Sequence, residues 1–325
     1  MIDVTRPEIE IVAEKIGFPE GPLALDDGSV LVCNVHGGVV HRIVGGRCER
    51  FADLGGAPNG LAFGPDGWIY VANGGGAMRW ERHGDQLISR GYLTNGYDAR
   101  VERVHLTTGA IERVADAVDG VRFEALDDLV PDPRGGFWLT DIGRDGPRSR
   151  SYGGLSWMSA DGRERRTAAF PLVNGANGIA LSPDGSTLYA TEFGAGRLWA
   201  WAVEGQGRLA HEPGQPHGGR LVWQAPDAQL LDSLAITAAG NLVVATQPSG
   251  VFSIVSPAGA LVARVAMPEH HPTNLCFDPR DPTIAYATLS DTGRLARLRW
   301  SEPGIVPRYP SWSLHHSKEK NHAVS

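Results

Sequence analysis

Six times along this chain an oxygen-bearing side chain stands eight positions before the residue that closes a turn: Glu20 and Gly28, Asn59 and Gly67, Asp127 and Gly135, Asn177 and Gly185, Asp232 and Gly240, Thr273 and Asp281. Aligned there, the segments read EGPLALDDG, NGLAFGPDG, DDLVPDPRG, NGIALSPDG, DSLAITAAG and TNLCFDPRD. Each is a polar residue, a short apolar run and a turn. The successive spacings are 39, 68, 50, 55 and 41 residues, scattered around the roughly 40 to 50 residues of a propeller blade. A helical repeat would show apolar residues at a 3.6 period. Here they form runs of four to six, rich in Val, Leu, Ile, Phe, Trp and Tyr and bounded by Asp-Gly or Gly-Gly, which is the strand and hairpin signal. The sequence therefore predicts an all-β fold, a six-bladed β-propeller of four-stranded blades. Residues 1–309 form its single domain, and residues 310–325 are a tail without strand pattern, expected to be disordered.

In the first blade the four strands are predicted at residues 22–25, 30–34, 39–43 and 47–51. The last blade supplies only three, at 275–277, 284–288 and 294–300, while residues 8–13 form a strand with no partner of its own. Placing that strand in the vacancy closes the ring and removes two exposed sheet edges.

Each marker residue lies at the entry of an innermost strand, so all six should ring one mouth of the central channel. Fourteen or fifteen residues later the second strands return to the same mouth. They end at Asn34, Asn73, Asp141, Glu192, Gln247 and Ser290 or Thr288, a second polar ring. The longest insertions, 75–98 and 142–153, follow these second strands and should overhang the mouth. Arg144, Arg148 and Arg150 in the second are either a lure for an anionic substrate or a solvated loop.

Glu20, Asp127, Asn177 and Asp232 offer only hard oxygen donors, a set suited to one divalent cation, Ca2+ first, with Zn2+ or Mn2+ as alternatives. Asn and Asp also favour strand and turn starts for local reasons. Convergence changes that argument, because three unneutralised carboxylates around one axis repel by several kcal/mol. His270 and His271 enter the last blade near the same mouth, where one could carry protons.

A net charge of -7 and a pI near 5.9 argue against a nucleic-acid partner. No apolar stretch suggests a membrane span. Cys33, Cys48 and Cys276 are odd in number and lack CxxC spacing, and no basic start precedes an apolar stretch at the N-terminus, so a cytoplasmic setting is expected. No GxSxG, HExxH or dinucleotide fingerprint occurs.

The segments GFPEGPLAL (17–25), APNGLAFGPDGWIYVANGG (57–75), DDLVPDPRGGFWLTDIG (127–143), NGANGIALSPDGSTLYATE (174–192), LDSLAITAAGNLVVAT (231–246) and PTNLCFDPRDPTIAYATLSDTGRL (272–295) cover nearly the whole barrel. Together they resemble the senescence marker protein/gluconolactonase family of six-bladed propellers, with more distant similarity to paraoxonases. The resemblance implies that Glu20, Asn177 and Asp232 hold a catalytic metal. It also implies a metal-dependent lactonase acting on a small polar lactone, with Asp232 as first choice of base and Asp127 as second. Asn59, Asn73, Asp141, Glu192 and His271 are the candidate groups for orienting substrate or water. Family members usually read P-N-D-L-V in the third blade; here Leu126-Asp127-Asp128-Leu129-Val130 puts a charge in place of an amide. The alternatives are a non-catalytic ligand-binding propeller, or an isomerase, hydratase or phosphotriesterase on the same site.

Overall fold

The computed structural model describes residues 3–76, 78–84, 86–92, 97–146 and 148–311. Six antiparallel sheets stand in a ring. Their innermost strands are Pro19–Ala24, Pro58–Phe63, Leu126–Pro131, Ala176–Leu181, Leu230–Ile236 and Pro272–Phe277, and each leads outward through its own sheet. The innermost strands neighbour one another in chain order, and the sixth returns to the first. Blade 1 shows the common plan: Pro19–Ala24, Val30–Asn34, Val39–Val44 and Arg47–Asp53. Its first strand starts three residues before the predicted position, because the marker residue lies within the strand.

Every joint between blades has its own apolar core. Leu31 and Val40 of blade 1 meet Leu61 and Ile69 of blade 2, Tyr70 meets Phe137, and Trp157 meets Trp199. Leu198 meets Leu242, Phe252 meets Leu298, and Tyr286 meets Val32 back across the closure. A strand that is buried on both faces needs apolar residues on both. That is why these strands read as continuous runs rather than as alternation.

The ring closes through the N-terminus. Ile9–Ala13 pairs antiparallel with Arg294–Arg299 as the outermost strand of blade 6. The chain goes further than its sequence indicated: Asp3–Thr5 pairs in parallel with Leu261–Ala266, the outer strand of blade 5. One segment of chain thus clasps two blades.

At the end of the channel away from the marker residues, residues 304–309 form a strap. Ile305 N donates to Ile236 O at 2.9 Å, Arg308 pairs with Asp26 at 2.5 Å, and the Tyr309 ring stacks on Phe137 with centroids 5.4 Å apart. Ile305, Val306 and Pro307 join the innermost strands around an apolar cavity of about 90 Å3. The expected tail falls mostly on 312–325, outside the described residues.

Both insertions carry structure of their own rather than the plain loops expected. The first contains a hairpin, Met78–His83 with Gln86–Tyr92, and the second a short pair, Arg144–Asp145 with Arg150–Ser151. Trp80 of the hairpin sits 5.1 Å from the Phe18 ring and 5.3 Å from His36, so the hairpin leans over blade 1 at the mouth. No helix among the described residues is long and apolar enough to cross a membrane.

Deleting residues 1–14 exposes the edges of Arg294–Arg299 and Leu261–Ala266 together. The truncated chain should lose its cooperative thermal transition; a melt superimposable on that of the full chain would contradict closure by this segment.

Candidate active site

All six innermost strands carry the same irregularity. In blade 2, Pro58 pairs with Asn73 and Leu61 with Val71, so three steps along one strand match two along its partner. The same surplus residue occurs after Pro19–Glu20, Leu126, Ala176, Leu231 and Pro272. Each is a β-bulge at the marker residue, a device that bends a strand and re-aims a side chain. A bulge also frees a backbone N–H. In three blades a threonine on the second strand accepts it: Asp128 N to Thr140 Oγ1 at 2.9 Å, Gly178 N to Thr191 Oγ1 at 2.8 Å and Asn274 N to Thr288 Oγ1 at 2.9 Å. Of the three, the sequence singles out only Thr288, as an end of the second polar ring, although FWLTD and TLYATE also place a threonine near the strand end.

Glycine follows the marker in blades 1, 2 and 4 because the bulges nearly touch. A Cβ on Gly178 would lie 2.5 Å from Ser233 Cα, and one on Gly60 would collide with the Asp128 carboxylate.

Four of the markers lie buried, and the three acids among them are close enough for their charges to act on one another. Glu20, Asp127, Asn177 and Asp232 are buried at 3%, 6%, 4% and 6% exposure. Burial pushes the Glu20 carboxyl well above the usual range, and the charges of Asp232, Asp127 and Asp128 push it further. Asp127 is likewise raised, by burial and then by Asp232 and Asp128. Burial lifts Asp232 to about 7 even though Asn177 and Gln247 stabilise its charge, with Gln247 Nε2 donating to Asp232 Oδ2 at 2.6 Å. Asp128, the extra carboxylate of the third blade, is also raised by burial to about 7. Thr273 is the exception among the markers: its hydroxyl donates to Pro19 O at 3.0 Å and ties blade 6 to blade 1.

The second polar ring has a different employment from the one expected. Asn73 Oδ1 accepts the backbone N–H groups of Ala57 and Gly75, and its Nδ2 reaches Glu102. Asp141 accepts those of Glu124, Ala125 and Gly143, and Glu192 takes Asn174 N, Asn174 Nδ2 and Trp199 Nε1. These side chains buckle the chain entering each innermost strand, so their oxygens are already engaged. Gln247 alone in that ring turns to a marker carboxylate. Asn59 is half-buried and its Oδ1 has no partner among the described residues. His271 lies with Nδ1 2.5 Å from Asp291 Oδ1. Arg144 pairs with Glu124 at 2.8 Å and stacks over Tyr97, and Arg150 pairs with Asp145 at 2.5 Å, so neither is a free lure for anions.

The site's fit to a cation rests on its acceptors. Asn59 Oδ1, Asp127 Oδ1 and Asn177 Oδ1 are buried without a donor among the described residues, and an orphaned buried acceptor is costly unless something positive faces it. Among the described residues no three His, Cys, Asp or Glu side chains form a metal cluster. A ligand set here must therefore mix carboxylate with amide oxygen, a combination typical of calcium and foreign to structural zinc sites.

Comparison with known proteins fits this architecture. The profile of the SMP-30/Gluconolactonase/LRE-like region matches residues 18–291. The chain belongs to that family. A gluconolactonase of Zymomonas mobilis is 24% identical over 92% of this chain and 83% of its own. Lactonase drp35 of Staphylococcus aureus is 32% identical, but the match spans 44% of this chain and 42% of the relative. Among solved structures, a gluconolactonase of Xanthomonas campestris superposes with a TM-score of 0.70 at 19% identity, covering 92% and 90% of the two chains. A calcium-binding regucalcin of Agrobacterium tumefaciens gives 0.73 at 17%, covering 97% and 100%. At such identities the superpositions establish the six-bladed fold alone.

The raised carboxylates set a direction for stability. Asp128 and Asp232 move from an ordinary 3.8 to about 7 on folding, so the folded state binds these protons more tightly than the unfolded one. Their contribution is greatest at low pH and is lost as pH rises through that window. In chelator-treated protein the melting temperature should fall between about pH 4 and pH 7. Calcium at about 100 times its Kd should add about 2.7 kcal/mol and flatten the fall at its upper end. A metal-independent melt that rises over this range would contradict the arrangement.

Proposed function

We propose that this protein is a metal-dependent lactonase that opens a small polar lactone to its hydroxy acid. The broader part of this reading, lactone hydrolysis, is supported by relatives named gluconolactonase and lactonase. The narrower part, dependence on a divalent cation, is supported by one observation above all: buried carboxylates from blades 1, 3 and 5 raise one another's pKa while amide and carboxylate oxygens beside them lack donors.

Glu20, Asn177 and Asp232 would hold the cation, with Asp127 beside them, and Ca2+ suits this oxygen set best. When bound, such an ion supplies polarisation of the lactone carbonyl and charge for the developing oxyanion. Asp232 is the first candidate for accepting the proton of the attacking water. Its Oδ2 is held by Gln247 at 2.6 Å, which fixes the carboxylate that would take the proton. Asp127, with Oδ1 unpartnered, is the second candidate. Asn59 offers a free oxygen for a substrate hydroxyl, whereas Asn73, Asp141 and Glu192 would act indirectly by shaping the strand entries.

Metal analysis of the purified protein, followed by a pH-indicator screen of sugar and aliphatic lactones with calcium, manganese and zinc, tests this directly. Turnover should require a divalent ion, and Asp232→Ala should lower kcat by at least about 100-fold with the fold retained. Full turnover by metal-stripped protein would end the reading, and metal binding without lactone turnover would favour a binding role.

A further inference from the structure

His271 lies two residues before Thr273, on the connection that enters blade 6 at the mouth of the channel. Its Nδ1 is 2.5 Å from Asp291 Oδ1, while Asp291 Oδ2 accepts the His270 backbone N–H at 2.8 Å. The His271 side chain is 42% exposed and that of Asp291 9%, so the carboxylate sits buried behind a ring that is open to solvent. Ser290 Oγ and Ser290 N both donate to His271 O at 3.1 Å, pinning the backbone. The Asp291 carboxylate thereby fixes the ring, with the Nδ1 proton directed at the carboxylate. Nε2 has no partner among the described residues.

The link to the carboxylate site is short. Gln247 Nε2 donates both to Asp232 Oδ2 at 2.6 Å and to Pro272 O, the carbonyl next to His271, at 3.0 Å. One side-chain amide therefore spans the candidate base and the backbone that carries the imidazole. Opening a lactone also creates a second chemical need, since its leaving group is an alkoxide, which departs poorly without a proton. A group other than the base can supply it while Asp232 still holds the water's proton.

We infer that His271, oriented by Asp291, is the general acid that protonates the leaving alkoxide; this rests on the lactonase reading above. Water oxygen bonds to the carbonyl carbon, and its proton passes to Asp232. The ring C–O bond then breaks, its electron pair stays on the ring oxygen, and that oxygen takes the proton from His271 Nε2. The acid product ionises, Asp232 releases its proton to solvent, and the exposed imidazole takes one back. The balance is lactone plus water giving hydroxycarboxylate and one proton. Among the described residues, Asp291 is the charged partner of the His271 ring, Asp232 is linked to its backbone through Gln247, and Glu269, two residues before it in the chain, is held by Thr292 and by Arg294 at 3.6 Å. His270 is the titratable neighbour on the same connection.

The test uses the full chain with calcium, and compares an aliphatic lactone with nitrophenyl acetate, whose phenolate leaves without needing a proton. His271→Gln should lower lactone kcat about 100-fold with KM little changed. The loss should be much smaller on the aryl ester, and added imidazole should restore part of the lactone rate. Asp291→Asn removes the partner that fixes the ring, so lactone kcat should fall with KM little changed while the aryl ester rate is largely kept. Equal losses on both substrates, or an unchanged lactone rate in a folded His271→Gln protein, would overturn the acid role and leave the lactonase reading standing. A wild-type protein that opens no lactone would remove both.

Discussion

The bulge at the mouth end of every innermost strand is the constraint from which the rest of the structure follows. Regular pleating would send consecutive side chains to opposite faces of the blade, into the cores between sheets. One surplus residue breaks that alternation and turns Glu20, Asp127, Asn177 and Asp232 toward the axis. The same break strands a backbone N–H, and the chain answers with a hydroxyl from the second strand. Close approach of neighbouring bulges then requires glycine in blades 1, 2 and 4, as at Gly60 and Gly178.

Around this rim the fold concentrates charge that it does not neutralise. Elsewhere its buried acids are paired or bonded: Glu102 with Arg100 at 2.8 Å, Glu192 with Trp199, and Asp132 with Trp157. At the axis, carboxylates face carboxylates, and their affinities for protons rise. In the proposed reading a divalent cation would offset that cost. The insertions lean over the same opening, and the strap at residues 304–309 crosses the opposite end.

Much of this was legible in the chain itself. The six markers, the blade count and the role of the N-terminal strand all follow from a repeated segment and a missing partner, because repetition and edge closure are properties of pattern. The second polar ring was visible but its role was not. Asn73, Asp141 and Glu192 look like substrate-orienting groups in sequence, and only the entry loops folding back onto them show that their oxygens are spent on backbone N–H groups. The bulges themselves are silent in sequence, since a surplus residue is defined only against its paired strand. Asp3–Thr5 on blade 5 and the Asp291 carboxylate behind His271 depend on contacts between distant segments, which no local pattern encodes.

The ligand set of the axis is the central claim, and a crystal grown with calcium and then exchanged into manganese tests it most directly through anomalous scattering. The account predicts one peak on the channel axis, about 2.3–2.6 Å from oxygens of Glu20, Asn177 and Asp232 in the calcium form. Glu20 and Asp232 turned apart, or a peak confined to surface carboxylates while the axis holds only water, would contradict it.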